Sequence, residues 1–246
     1  MSINLKTKKI YPILLEAAVA LINSDDTNQN NTGFLVLSGM AEGCQHKLKK
    51  NLQNPVMNVL IPKGLSHQAP EVRGAAIAAI SYFSEFLVPE IVEFHATVIP
   101  LMMNSFSDMS TKVAEKALIA TDVFFDNMDE DDIKSYLPIV IPKLTEVLMS
   151  QSSTPLMRNA AISGIGSALE AAELSYEPFL ENTYKMCIEF LNIGPSPQFN
   201  VVRAQNLGVL GKISNIFCGK KYGNRELFYR NYIMGILEQV YNMLLT

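Results

Sequence analysis

Five stretches of the sequence superimpose when each is aligned on a small residue followed by a large apolar one. The pairs are Gly33-Phe34, Ala76-Ile77, Ala117-Leu118, Ala161-Ile162 and Asn206-Leu207, spaced by 43, 41, 44 and 45 residues. Four residues past each anchor stand Leu37, Ile80, Thr121, Ile165 and Leu210, and seven past stand Met40, Phe83, Phe124, Ala168 and Ile213. Offsets of one, four and seven share one face of an α-helix, so each stretch is expected to bury a single stripe. One such unit cannot bury its stripe alone, whereas stacked neighbours can. The period therefore selects a stack of repeats over one globular core. Asn206 and Thr121 depart from the small-and-apolar rule, and the sequence gives no reason for either.

A second set of helices is expected between these, at Lys8–Asn23, Asn54–Leu65, Pro89–Phe106, Ile133–Met149, Tyr176–Leu191 and Asn224–Leu245. Breaker-rich turns fall between helices at Ser24–Asn31, Ser66–Pro70, Ser105–Ser110, Gln151–Pro155 and Gly194–Asn200, with Ser110 and Thr154 as expected N-caps. Nothing alternates as a strand would. The steps Leu60-Ile61-Pro62, Val98-Ile99-Pro100 and Val140-Ile141-Pro142 put a proline at one place in successive outer helices, where it is expected to bend them. Two helices in about 40–47 residues is the HEAT or armadillo period. The expected fold is all-α, an α-α superhelix of about five two-helix HEAT repeats. It forms one solenoid segment over 1–246, with repeats near 8–51, 54–87, 89–128, 133–172 and 176–218 and a terminal helix at 224–245.

Pro70-Glu71-Val72-Arg73 before an Ala-rich helix is typical of HEAT repeats, and Met157-Arg158 and Val202-Arg203 repeat the hydrophobe-arginine step. The longer strings Glu71-Val72-Arg73-Gly74-Ala75-Ala76, Ser81-Tyr82-Phe83-Ser84-Glu85-Phe86-Leu87-Val88-Pro89, Gly33-Phe34-Leu35-Val36-Leu37 and Arg158-Asn159-Ala160-Ala161 resemble repeats of the importin-β (karyopherin-β) family, nearest its importin-4 and importin-5 type. The resemblance runs through most of the chain and fades after Gly219. It implies a nuclear transport receptor present in cytoplasm and nucleus. Such receptors bind protein cargo, commonly basic, on a concave face, and pass the pore through weak apolar pockets for Phe-Gly nucleoporins. The chain looks like an internal stretch of a longer superhelix, which places the main contact with the Ran GTPase outside it.

Nine residues past the anchors stand Glu42, Glu85, Asp126, Glu170 and Asn215, four acids in five repeats. Nine residues turn a helix through about 900°, half a turn from the buried anchor, so these carboxylates face outward. They also stand near helix C-termini, where the dipole disfavours an anion. Two readings remain open: an ordinary solvated face, or an acidic ladder that takes basic cargo on the side the resemblance makes concave. Arg73, Arg158 and Arg203, three residues before their anchors, form a second ladder. Its favoured role is structural, fixing the stacking of neighbouring repeats through a carbonyl or carboxylate, with contact to an acidic partner as the other reading. The run Asp126, Asp129, Glu130, Asp131 and Asp132 suits the start of the next helix. Lys220, Lys221, Arg225 and Arg230, interleaved with Tyr222, Phe228, Tyr229 and Tyr232, read as a solvated face over an aromatic core stripe.

No catalytic, cofactor or metal constellation is visible. His46, His67 and His95 sit in different repeats, and Gly208-Val209-Leu210-Gly211-Lys212 lacks the spacing and the Ser or Thr of a phosphate loop. Cys44, Cys187 and Cys218 are odd in number and widely spaced, which fits a reducing compartment. A net charge of -4 argues against nucleic acid as a partner. No apolar run is long enough for a membrane span, and the lysines at Lys6, Lys8 and Lys9 are not followed by a secretory signal. The competing function class is a HEAT scaffold that organises a protein complex, such as a phosphatase or assembly subunit. Neither reading is an enzyme.

Overall fold

The computed structural model describes residues 7–192, 200–219, 223 and 225–245, and these contain helices and no strand. In order they are α1 (Thr7–Ile22), α2 (Thr27–Gly43), α3 (Gln45–Lys50), a π-helical stretch Leu52–Leu60, α4 (Ile61–Leu65), α5 (Pro70–Phe86), α6 (His95–Ser105) and α7 (Thr111–Phe125). They continue with α8 (Glu130–Ile133), α9 (Leu137–Met149), α10 (Pro155–Ala172), α11 (Glu177–Asn192), α12 (Asn200–Phe217), α13 (Arg225–Phe228), a π-helical stretch Tyr229–Ile233 and α14 (Met234–Leu245). The chain divides into two compact units, Met1–Asn127 and Met128–Thr246.

Within each unit the anchored helices, called B helices, pack side by side, and each also packs on the helix before it, its A partner. In the first unit α2, α5 and α7 pack in sequence order, with α1, α4 and α6 as partners; in the second, α10 packs on α12, with α9 and α11 as partners. The expected stripe is the core. Phe34, Leu37, Ile77, Ile80, Phe83, Leu118, Ile162, Ile165, Leu210 and Ile213 are completely buried. Leu207 is only half-buried, so the last repeat holds its anchor pair less deeply.

The two exceptions to the pattern are accommodated by local hydrogen bonds. Thr121 is buried and its Oγ1 donates to the Ala117 carbonyl at 2.8 Å; buried Asn206 donates through Nδ2 to the Val202 carbonyl at 2.7 Å. Ser38 and Ser84 do the same to Phe34 and Ile80. A polar side chain that bonds its own helix one turn back can enter a core without an orphaned donor.

The A layer is less regular than expected. Helix α2 begins at Thr27, inside the expected turn, because Asp26 caps it by accepting from the Asn28 N–H at 2.7 Å. The expected helix Asn54–Leu65 is interrupted by the extended residue Asn54. Leu60 and Ile61 are helical and the Ile61 N–H donates to the Val56 carbonyl, so α4 continues the π-helical stretch. Pro62 lies within that helical run, where its ring removes one backbone donor. Pro100 and Pro142 likewise lie inside α6 and α9. The segment after Pro89 enters α6 only at His95, through a 3-10 turn at Val92–Phe94. Of the expected caps, Thr154 accepts from the Met157 N–H at 3.1 Å. Ser110 makes no side-chain cap; its own N–H donates to the Asp108 carboxylate. The turn expected at Gly194–Asn200 lies outside the described residues except for Asn200, which opens α12.

Two glycines set the packing distance. A Cβ on Gly33 would stand 2.6 Å from Ile22 Cγ1 and 2.9 Å from its backbone nitrogen; one on Gly64 would stand 2.3 Å from Phe34 Cζ and 2.7 Å from Ala76 Cβ. By contrast, a Cβ on Gly208, in the middle of α12, would meet nothing within 4 Å. Gly64→Ala is expected to cost about 1–3 kcal/mol through overpacking. Gly208→Ala is expected to gain up to about 1 kcal/mol through helix propensity. Urea unfolding of the two variants should shift in opposite directions.

Candidate binding surface

The outward face of the B helices carries the acidic register. Glu42 and Glu85 are the penultimate residues of α2 and α5, Asp126 is the C-cap of α7, and all three are exposed. Among the described residues none of these three carboxylates has an ion-pair or side-chain hydrogen-bond partner. Glu170 on α10 is also exposed but differs, because Lys212 of α12 pairs with it at 2.7 Å. The same face of the first unit carries exposed Leu35, Tyr82 and Ile119, with the Tyr82 ring stacked on Phe86 at 6.3 Å. Sequence reasoning passed over these three. Their signal was available, since they fill outward positions where a polar residue would be expected.

The three arginines do not act alike. Arg73 joins two repeats: its Nε and Nη2 each donate at 2.7 Å to the two oxygens of Asp108, in the turn before α7. Its Nη1 donates to the carbonyls of His67 and Gln68, at the end of its own A-to-B turn. Arg158 reaches the carbonyls of Ser150 and Ser153 in its own repeat. The Nε of Arg203 is buried with no partner among the described residues. The same register in the first repeat holds Asn30, which donates to the carbonyls of Leu21, Ile22 and Ser24. Asn30, Arg73 and Arg158 thus each tie the end of the preceding A helix or its turn to the start of a B helix. The asparagine was missed because the register looked like an arginine ladder.

The acidic run serves local structure. Asp129 caps α8 by accepting from the Asp132 N–H, Asp131 pairs with Lys134, and Glu130 accepts from the Ser175 hydroxyl of the next repeat. At the far end Arg230 pairs with Glu226, and Phe228 is buried between Phe217 and Tyr232, its ring centroid 5.7 and 5.0 Å from theirs. Tyr229 faces solvent and is not part of an aromatic core stripe. Lys220, Lys221 and Tyr222 lie outside the described residues. Burial pushes the Cys187 thiol up to about 12, which removes its reactivity at neutral pH. Among the described residues no group of three metal-ligating side chains occurs, and no helix is long and apolar enough to cross a membrane.

One concavity lies between two A helices of the second unit. Ile141, Pro142, Thr145 and Met149 of α9 face Phe179 and Thr183 of α11 across a mostly apolar groove of about 470 Å³. It is lined by side chains suited to hold an aromatic ring and contains no catalytic pair.

No family model matches the chain. It is homologous to the probable importin subunit beta-4 of Schizosaccharomyces pombe, 26% identical over 215 residues, or 87% of this chain and 20% of that protein. Mouse importin-4 is 28% identical over the same share. The chain thus spans about a fifth of the length of these relatives. They are named as importins, not as enzymes. The fold matches crystal structures of the karyopherin Kap121p. The complexes with Pho4p and with Nup53p each give a TM-score of 0.84 at 18% identity, covering 98% of this chain and 23% and 22% of theirs. This fixes the fold as a karyopherin-type HEAT solenoid. A further structure of that karyopherin carries three acid-to-lysine replacements about one repeat apart, with a TM-score of 0.83.

The Arg73–Asp108 pair is nearly buried, with side chains 18% and 11% exposed. The hydrogen bonds from Arg73 hold the Asp108 carboxyl below its ordinary value. A depressed carboxyl contributes stability above the usual Asp range and loses it as pH falls through the folded value. Arg73→Ala is expected to cost about 2 kcal/mol at pH 7. Below about pH 4 the wild type gives up the Arg73–Asp108 part of this contribution, whereas the variant has only the Ser110 N–H bond to Asp108 to lose. The gap between their unfolding midpoints should therefore narrow in acid; the part due to the Arg73 bonds to the His67 and Gln68 carbonyls remains.

Proposed function

We propose that the chain is a segment of a nuclear import receptor, present in cytoplasm and nucleus, that binds basic protein cargo on its B-helix face. The observation that carries the reading is the row of three carboxylates on consecutive packed helices, unpartnered among the described residues, in a chain homologous to importin-4. Exposed anions with no internal partner are free to pair with a ligand cation, and the neighbouring Leu35, Tyr82 and Ile119 offer contact to its aliphatic stems. Glu170 belongs to the same proposed cargo ladder. Arg73, Arg158 and Arg203 are assigned structural roles, within and between repeats, rather than cargo contact. The reading takes 1–246 as one solenoid segment. The principal Ran GTPase contact is assigned to the rest of a longer receptor.

The apolar groove between α9 and α11 is the candidate site for a Phe-Gly nucleoporin. Its volume of about 470 Å³ suits an aromatic side chain, and its walls offer apolar contact with few fixed charges. No nucleic acid, membrane or cofactor has a place in this reading.

Two sets of variants test it. Glu42→Lys, Glu85→Lys and Asp126→Lys together should lower affinity for a lysine-rich peptide by about tenfold or more at low salt, with helicity unchanged. Met149→Arg, on an exposed residue at the groove, should abolish retention on immobilised Phe-Gly repeats without touching peptide binding. A folded chain that binds neither probe would overturn the reading in favour of a HEAT scaffold.

A further inference from the structure

The fourth rung of the acidic register is already occupied by a cation of the chain itself. Lys212, six residues past the anchor of α12, crosses to α10 and sets its ammonium 2.7 Å from Glu170. The lysine stem has a seat beneath it. Gly166, one turn before Glu170, is buried, and a Cβ there would stand 3.2 Å from Lys212 Nζ, 3.5 Å from its Cδ and 3.3 Å from Val209 Cγ2. Absence of that carbon leaves room for the alkyl chain against the helix, with the carboxylate at its end.

The first unit repeats the seat without the acid. A Cβ on Gly74 of α5 would stand 3.4 Å from Nζ of Lys116, on α7, and 3.5 Å from its Cδ. The position that corresponds to Glu170, four residues on, is Ala78, and Lys116 donates instead to the Gly74 carbonyl at 3.3 Å. The B-helix face can therefore hold an extended alkyl-ammonium over a glycine, and in α10 and α12 it holds one against a ladder carboxylate.

We infer that Lys212 is a built-in competitor: it mimics a ligand lysine at Glu170, so a basic ligand engages this rung only by displacing it. The inference rests on the B-helix face taking basic ligands. Displacement is feasible because the two side chains are 33% and 54% exposed, and half-exposed ion pairs contribute little net stability. The consequence is selectivity. Only a ligand cation that outcompetes Lys212 engages Glu170, so this rung favours the more strongly basic ligands.

The experiment measures binding of a fluorescent hexalysine peptide to the 246-residue chain at low salt. Lys212→Met keeps the alkyl stem and removes the charge, and is expected to raise affinity about two- to fivefold, the scale of one exposed ion pair. Adding Glu170→Gln should remove that gain. Lys185→Met, which makes the same change of net charge on α11, where Lys185 pairs with Glu181 at 2.6 Å, should give no comparable gain. If Lys212→Met leaves affinity unchanged, or matches Lys185→Met, the competitor is overturned while loss of binding on reversing Glu42, Glu85 and Asp126 still upholds the basic-ligand face. If the wild type binds no hexalysine and no variant changes this, the face itself is overturned, and the competitor with it.

Discussion

The structure depends on how closely an A helix can approach its B helix at the anchor. At Gly33 the backbone nitrogen of Ile22 would stand 2.9 Å from a Cβ, and Gly64 leaves no room for a methyl between Phe34 and Ala76. Small residues at these crossings let large neighbours such as Phe34, Ile77 and Phe83 fill the space between layers without a void. Once the crossing is fixed, the outward direction of each B helix is fixed too. Residues nine past the anchor then recur on the same face, and a ladder of equivalent positions follows from packing alone.

A second constraint joins each A helix to its B helix. The last carbonyls of a helix have no partner within it and must be met by other donors. Asn30, Arg73 and Arg158 supply such donors from one register, to the end of the preceding helix or its turn. Arg73 does more, since its remaining two donors reach Asp108, which in turn accepts from the Ser110 N–H at the start of α7. One guanidinium thus couples a turn, its own helix and the entry to the next helix. In the repeat of α7 the register holds Ala114, which offers no side-chain donor; there Asp108 of the turn accepts from the Ser110 N–H at the entry to the helix.

The buried stripe was legible because burial repeats with the helix period, and every offset of one, four or seven but Leu207 is in the core. Outward orientation of Glu42, Glu85, Asp126 and Glu170 was legible for the same reason. The A layer was not, because the extended backbone at Asn54 and the 3-10 entry to α6 after Pro89 leave no periodic trace. Nor were the partners of the ladders. Whether Glu170 is free depends on a residue 42 positions away on another helix, and on a glycine that makes room for it. Asn30 escaped because what the register requires is a side-chain donor, and the residue type that supplies it varies. Thr121 and Asn206 break the sequence pattern, but each donates to its own helix one turn back, at Ala117 and Val202; Asn206 still buries its Oδ1 without a partner among the described residues.

The electrostatics of the B-helix face follow from these placements. Carboxylates at helix C-termini stand in an unfavourable dipole field, and among the described residues Glu42, Glu85 and Asp126 have no cation to offset it. In the proposed reading, neutralisation by a ligand cation would remove a repulsion as well as add an attraction, so each would contribute more to binding than to folding. Glu170 has spent this difference within the chain, on a pair with Lys212. Two carboxylates at equivalent registers can thus have opposite thermodynamic roles. The distinction lies in the side chain on the neighbouring B helix, here a lysine seated over Gly166, and not in the acid itself.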